Sequence, residues 1–169
     1  VYAGTTGEIC DNGVDDDGDG DIDGDDSDCM DPSSCAFTDA YWANLAGVEL
    51  PDLTEVTEFL DQVKLVVEGT GCNGLEAIFD IREVDELLPP FDWDGADEVA
   101  EISNPVGEAI FSGGRAILNW NPIYSEDTDG GDLDPEYIFK ASLVLDTNKD
   151  KISEGRLKVL EGPPVPPLA

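Results

Sequence analysis

The stretch "VKLVVEGTGCNGLEAIFDIRE", Val63 to Glu83, decides the fold of this chain. Val63, Leu65 and Val67 fall on one face of an extended segment. Leu75, Ala77, Phe79 and Ile81 do so again after "TGCNG", whose glycines mark a turn. Apolar residues at every second position bury one side of a pleated strand and leave the other side to solvent, so the stretch reads as strand, turn, strand. The same period continues downstream. "GRAILNW" puts Ala116, Leu118 and Trp120 on one face, "EYIFKASLVLD" aligns Tyr137, Phe139, Ala141, Leu143 and Leu145, and "GRLKVL" adds Leu157 and Val159. "EVAEIS" and "GEAIFSG" read as edge strands, and "DTNKDKISE" as a turn between two strands. About seven short strands at regular spacing, with turn residues between them, predict an all-β antiparallel sandwich in which helix is minor.

At 169 residues the chain suits one domain plus an appendage, and its 40% hydrophobic content is enough to fill a core. The formal charge of -32, from 40 acidic and 8 basic residues, argues against nucleic acid or an anionic membrane surface as partner, because phosphate binding needs clustered Lys and Arg. Cations are the natural counterpart. No basic residue precedes Lys64, whereas 18 of the acids do, so the charge is polarised toward the N-terminus. Histidine is absent, which excludes Ser-His-Asp and Cys-His catalysis and any His-ligated zinc or haem. No apolar run is long enough to span a bilayer.

Four cysteines remain, Cys10, Cys29, Cys35 and Cys72, with no CxxC pair among them. An even number in a small, loop-rich chain favours two disulfides and an oxidising compartment. Of the three possible pairings, Cys10 with Cys29 would close the Asp-rich loop and Cys35 with Cys72 would tie that loop to the following domain.

The Asp-rich loop is "DDDGDGDIDGDD", Asp15 to Asp26, and its spacing is that of a calcium loop. Asp15, Asp17 and Asp19 occupy positions one, three and five, and Gly20 stands at six, where the chain must turn sharply. Asp21 would offer its backbone carbonyl at seven, Ile22 is the apolar residue at eight, and Asp23 and Asp26 fall at nine and twelve. A hard divalent cation with six to eight oxygen ligands explains why like charges are gathered here. A flexible all-oxygen site favours Ca2+ over Mg2+. Asp11, Asn12, Asp25 and Asp28 are candidates for a second ion. Asp127, Asp129, Asp132 and Asp134 are either another calcium site or a solvated hairpin loop.

These residues resemble the calcium loops of EF-hands, dockerins and thrombospondin type 3 repeats. Asp26 in place of the long Glu, and flanks of Gly and Asp rather than amphipathic helix, bring the pattern nearest to thrombospondin. The wider "EICDNGVDDDGDGDIDGDDSDC" is similar to a repeat of secreted bacterial and archaeal surface proteins, which often carry a cysteine where Gly24 stands here. The body, with "AYWANLAG", "VKLVVEGTGCNGLEAIFDIRE" as a central hairpin, and "AILNWNPIYSEDTDGGDLDPEYIFKASLVL", resembles an immunoglobulin-like domain. The resemblance puts Tyr137 at the tyrosine corner and Phe139 where an antibody domain has its second intersheet cysteine, so no antibody-type disulfide is expected.

The expected organisation is therefore a calcium-binding, disulfide-stapled segment over residues 1–35, an immunoglobulin-like sandwich over 36–161, and a Pro-rich tail over 162–169. The expected function is a non-enzymatic structural or adhesive module, extracellular or at the cell surface. It would self-associate through strand edges or terminal tails, as the subunit of a fibre or filament. The alternative is a carbohydrate-binding module of a larger secreted protein. Of its three tryptophans, Trp42, Trp93 and Trp120, the period buries Trp120, and Trp93 in "FDWDG" is the best exposed candidate for a sugar platform.

Overall fold

The computed structural model describes residues 12–22, 31–84, 93, 94, 96, 99, 101–126 and 134–164. Nine strands lie among them: β1 (Ala36–Ala43), β2 (Thr54–Thr57), β3 (Val63–Thr70), β4 (Glu76–Glu83), β5 (Gly107–Ile110), β6 (Arg115–Trp120), β7 (Glu136–Leu143), β8 (Asp146–Ile152) and β9 (Leu157–Leu160). The helical piece among the described residues is a single 3-10 turn, Pro32–Ser34. Three strands form one sheet in the order β1-β3-β6. The other six form the second, in the order β2-β9-β7-β4-β5, with β8 also on β7. The fold is an all-β sandwich.

The residues singled out by their alternation supply the filling. Leu65, Val67, Ala116 and Trp120 of the smaller sheet face Ala77, Phe79, Ile81, Tyr137, Phe139 and Leu143 of the larger one in a single buried cluster. Aromatic contacts bridge the sheets. Trp42 meets Phe139 edge-on at 4.9 Å, and Trp120 meets Tyr137 edge-on at 6.0 Å, geometries that suit the ring quadrupoles. Tyr137 is fully buried. Its hydroxyl faces the Ser125 backbone without reaching hydrogen-bond geometry, and burial drives its pKa far upward, helped by the carboxylates of Glu83, Glu101 and Glu58.

The departures from expectation have physical causes. β3 and β4 do not form a hairpin, for each belongs to a different sheet. Two strands that both turn an apolar face inward can satisfy the core from opposite layers as well as side by side, and "TGCNG" carries the chain across. β2 pairs with β9 in parallel, whereas the other ladders among the described residues are antiparallel. "DTNKDKI" is strand β8 rather than a turn. The chain turns earlier, at Val144 and Leu145, leaving Leu145 exposed instead of in the core. In "EVAEIS" the described residues are not strand, yet Val99 and Ile102 still reach the core.

Candidate metal site

Between Asn12 and Ile22 the backbone is a series of bends held by side chains two to five residues away. Asp15 accepts from the N–H of Gly18 at 2.6 Å with one carboxylate oxygen and from that of Gly20 at 3.1 Å with the other. Asp17 accepts from the Asp19 N–H at 3.1 Å, and Asp19 from the Asp21 N–H at 3.0 Å. Each carboxylate therefore holds the backbone just ahead of it, the local bonding that suits Asp to turns. Gly20 has φ of 108°, a conformation that side chains rarely adopt, and it lies where the calcium-loop pattern requires the turn.

This winding gathers Asp15, Asp17 and Asp19. Each offers one carboxylate oxygen, and the three atoms lie within 4.8 Å of one another. Oxygens bound to one Ca2+ at about 2.3–2.6 Å can stand at most about 5 Å apart, so all three can share an ion. The donor set, hard anionic oxygen, fits calcium. Asp16 points into a different bond, accepting from the Asn12 amide at 2.6 Å, while the Asn12 carbonyl accepts from the Val14 N–H at 2.8 Å. The carboxylate of Asp21 is not one of the three, and its assigned role is through the backbone. Asp23 and Asp26 lie outside the described residues, as do Asp11, Asp25 and Asp28, the Cys10–Cys29 pairing, and Asp127, Asp129 and Asp132. Asp134, the fourth of that last group, sits 3.7 Å from the Lys158 ammonium.

The segment joins the sandwich through several ties in a few residues. Asp31 caps the 3-10 turn, and hydrogen bonds from the Ser33 hydroxyl and N–H hold its carboxyl below the usual range. Cys35 is bonded to Cys72, at the crossing from β3 to β4, and both are buried. Ser34 donates to the Gly71 carbonyl at 3.3 Å. From β8, the Lys149 ammonium donates to the carbonyls of Ser33 at 3.0 Å and Cys35 at 2.6 Å. Lys149 had no local signal in the sequence, since its partners lie 116 and 114 residues away.

The aromatic platform expected at Trp93 is not there. Trp93 is buried, with the Arg82 guanidinium 4.6 Å from its ring centroid and the Lys140 ammonium at 4.7 Å. A ring buried to 8% exposure has no open face for a sugar. Trp42 and Trp120 are core residues 5.8 Å apart.

Among the described residues no helix is long and apolar enough to cross a membrane. No protein-family model matches the chain, and a search of curated proteins gives no match.

Proposed function

We propose that the chain is a non-enzymatic, calcium-binding structural or adhesive module that works outside the cell or on its surface, as the subunit of a fibre or filament. The observation that carries this reading is the convergence of Asp15, Asp17 and Asp19 within 4.8 Å in a segment that holds no basic residue of its own. Asp23 and Asp26 complete the ligand set in this reading, and the resemblance to thrombospondin type 3, dockerin and EF-hand loops belongs to it. Bound Ca2+ would supply positive charge that cancels the repulsion and links backbone bends into one rigid unit. The Cys35–Cys72 disulfide and the Lys149 contacts would pass that rigidity to the sandwich, so that the segment holds a fixed direction relative to the body. An extracellular setting agrees with the disulfide, which persists in oxidising compartments.

The test is a pair of thermal melts, with millimolar calcium and with a chelator, alongside metal analysis of the purified protein. Calcium should co-purify, and chelation should remove a transition belonging to the segment. Identical melts and no bound calcium would overturn the reading.

A further inference from the structure

A cleft of about 690 Å³ opens at one end of the sandwich, beside the chain that leaves β2, where Phe59, Val106, Trp120 and Pro122 alternate with amides and carboxylates. We infer that this cleft binds an uncharged oligosaccharide, with Phe59 as the stacking surface.

Phe59 is the first reason. Its side chain is 69% exposed, and its backbone φ of 64° lies in the left-handed region that bulky residues avoid. A strained backbone that turns an aromatic ring toward water serves neither the core nor the turn, since glycine would make the turn without strain. Such outliers concentrate where binding needs them. The chain is also built to keep the ring in place. Gly162 passes so close that a Cβ there would stand 2.5 Å from the Glu58 carbonyl oxygen and 3.0 Å from the Phe59 ring.

The polar groups are the second reason. The Gln62 amide donates to the Asn121 side-chain carbonyl at 2.9 Å. Asp61 spends one oxygen on the Thr57 N–H at 2.7 Å, and Glu58 spends one on the Tyr124 N–H at 3.0 Å. Each side chain is thereby fixed, and groups ordered before binding lose little entropy on binding. Planar amides and carboxylates beside an aromatic ring match a pyranose, which carries C–H bonds on its faces and hydroxyls around its rim. Among the described residues no basic side chain lines the cleft, and two of those that do line it are acidic. An anionic sugar or a phosphate would meet repulsion with no compensating donor.

The test is calorimetry and saturation-transfer NMR on the whole chain with cellohexaose, mannohexaose and chitohexaose, and with hexagalacturonate as the anionic comparison. At least one neutral hexasaccharide should bind at millimolar concentration, and hexagalacturonate should bind at least about tenfold more weakly. Phe59→Gly separates binding from folding. Glycine relieves the left-handed strain, so the variant should melt no lower than the parent while losing about tenfold or more in sugar affinity. The inference is overturned if no neutral hexasaccharide binds, if Phe59→Gly binds as the parent does, or if hexagalacturonate binds equally well. The stacking and hydrogen bonds proposed for this cleft need no calcium, so the same binding in chelator and in calcium keeps this result distinct from that for the Asp-rich segment.

Discussion

Asp52 and Glu136 close on the Arg156 guanidinium at 2.9 Å each inside the body, whereas Asp15, Asp17 and Asp19 gather on a surface loop in a stretch of chain that precedes every basic residue. Both are clusters of acids, and both present oxygens to a single point. In the body the cation is part of the sequence, 5% exposed, and it ties the turn before β2 to β7 and β9. In the segment, under the proposed function, the cation comes from outside. A charge balanced by the chain's own residues gives permanent stability, while one balanced by an ion makes local order depend on the medium.

Removing the Cys35–Cys72 tie between these two regions should have the largest effect. The bond spans 37 residues, and in the chain-entropy account its loss costs about 4 kcal/mol. Urea unfolding of Cys35→Ala/Cys72→Ala against the parent measures this. A loss below about 1 kcal/mol would mean that the junction is held by its hydrogen bonds instead.

Arg156→Met tests the built-in cation. It takes the guanidinium away from Asp52 and Glu136 and should cost about 3 kcal/mol at neutral pH, the low end for a broken buried pair because Asp52 is 43% exposed. The deficit should also depend on pH. Hydrogen bonds from the Arg156 guanidinium hold the Asp52 carboxyl below its ordinary value of 3.8, so this contribution is full above that value and fades as pH falls through the lower, folded one. Urea midpoints taken from about pH 7 to about pH 3 should therefore bring variant and parent closer together. A constant gap would assign the effect to packing.

Asp19→Asn tests the outside cation, with the smallest effect on the body. Removing one of three converging carboxylates should weaken calcium binding about tenfold or more, by calorimetry or terbium luminescence, since affinity follows the number of charged ligands. The urea midpoint of the sandwich should move by less than about 0.5 kcal/mol, as expected for an exposed substitution. Coupled loss of both would show that the two regions fold as one.

The core strands were legible because each turns one alternating face into the space between the sheets; the second buried face of β3, where Val66 packs with Tyr41 and Ala43, was not. Val63, Leu65 and Val67, and Phe79 and Ile81, could only alternate as they do. β2 was not legible, for "TEVT" is short and polar and takes its place through a parallel ladder with β9, a hundred residues on. β8 was missed because "DTNKDKI" lies at the surface, where nothing enforces an apolar period. Of the candidate site, the grouping of Asp15, Asp17 and Asp19 follows from local spacing alone, since each bond that shapes it spans five residues or fewer. The burial of Trp93 was invisible, because Arg82 and Lys140 come from two neighbouring strands whose pairing no single segment encodes. Phe59 was hidden for a different reason, that a backbone φ leaves no mark on composition.

The placement of Cys35, immediately ahead of the edge strand β1, also fixes how the molecule bears a pull. Tension arriving along the Asp-rich segment enters the body at Cys35 and is shared at once with Cys72, between β3 and β4. An edge strand loaded from its free end would otherwise peel from its neighbour one hydrogen bond at a time. With the load divided between β1 and the crossing from β3 to β4, the edge strand cannot be peeled from that end alone.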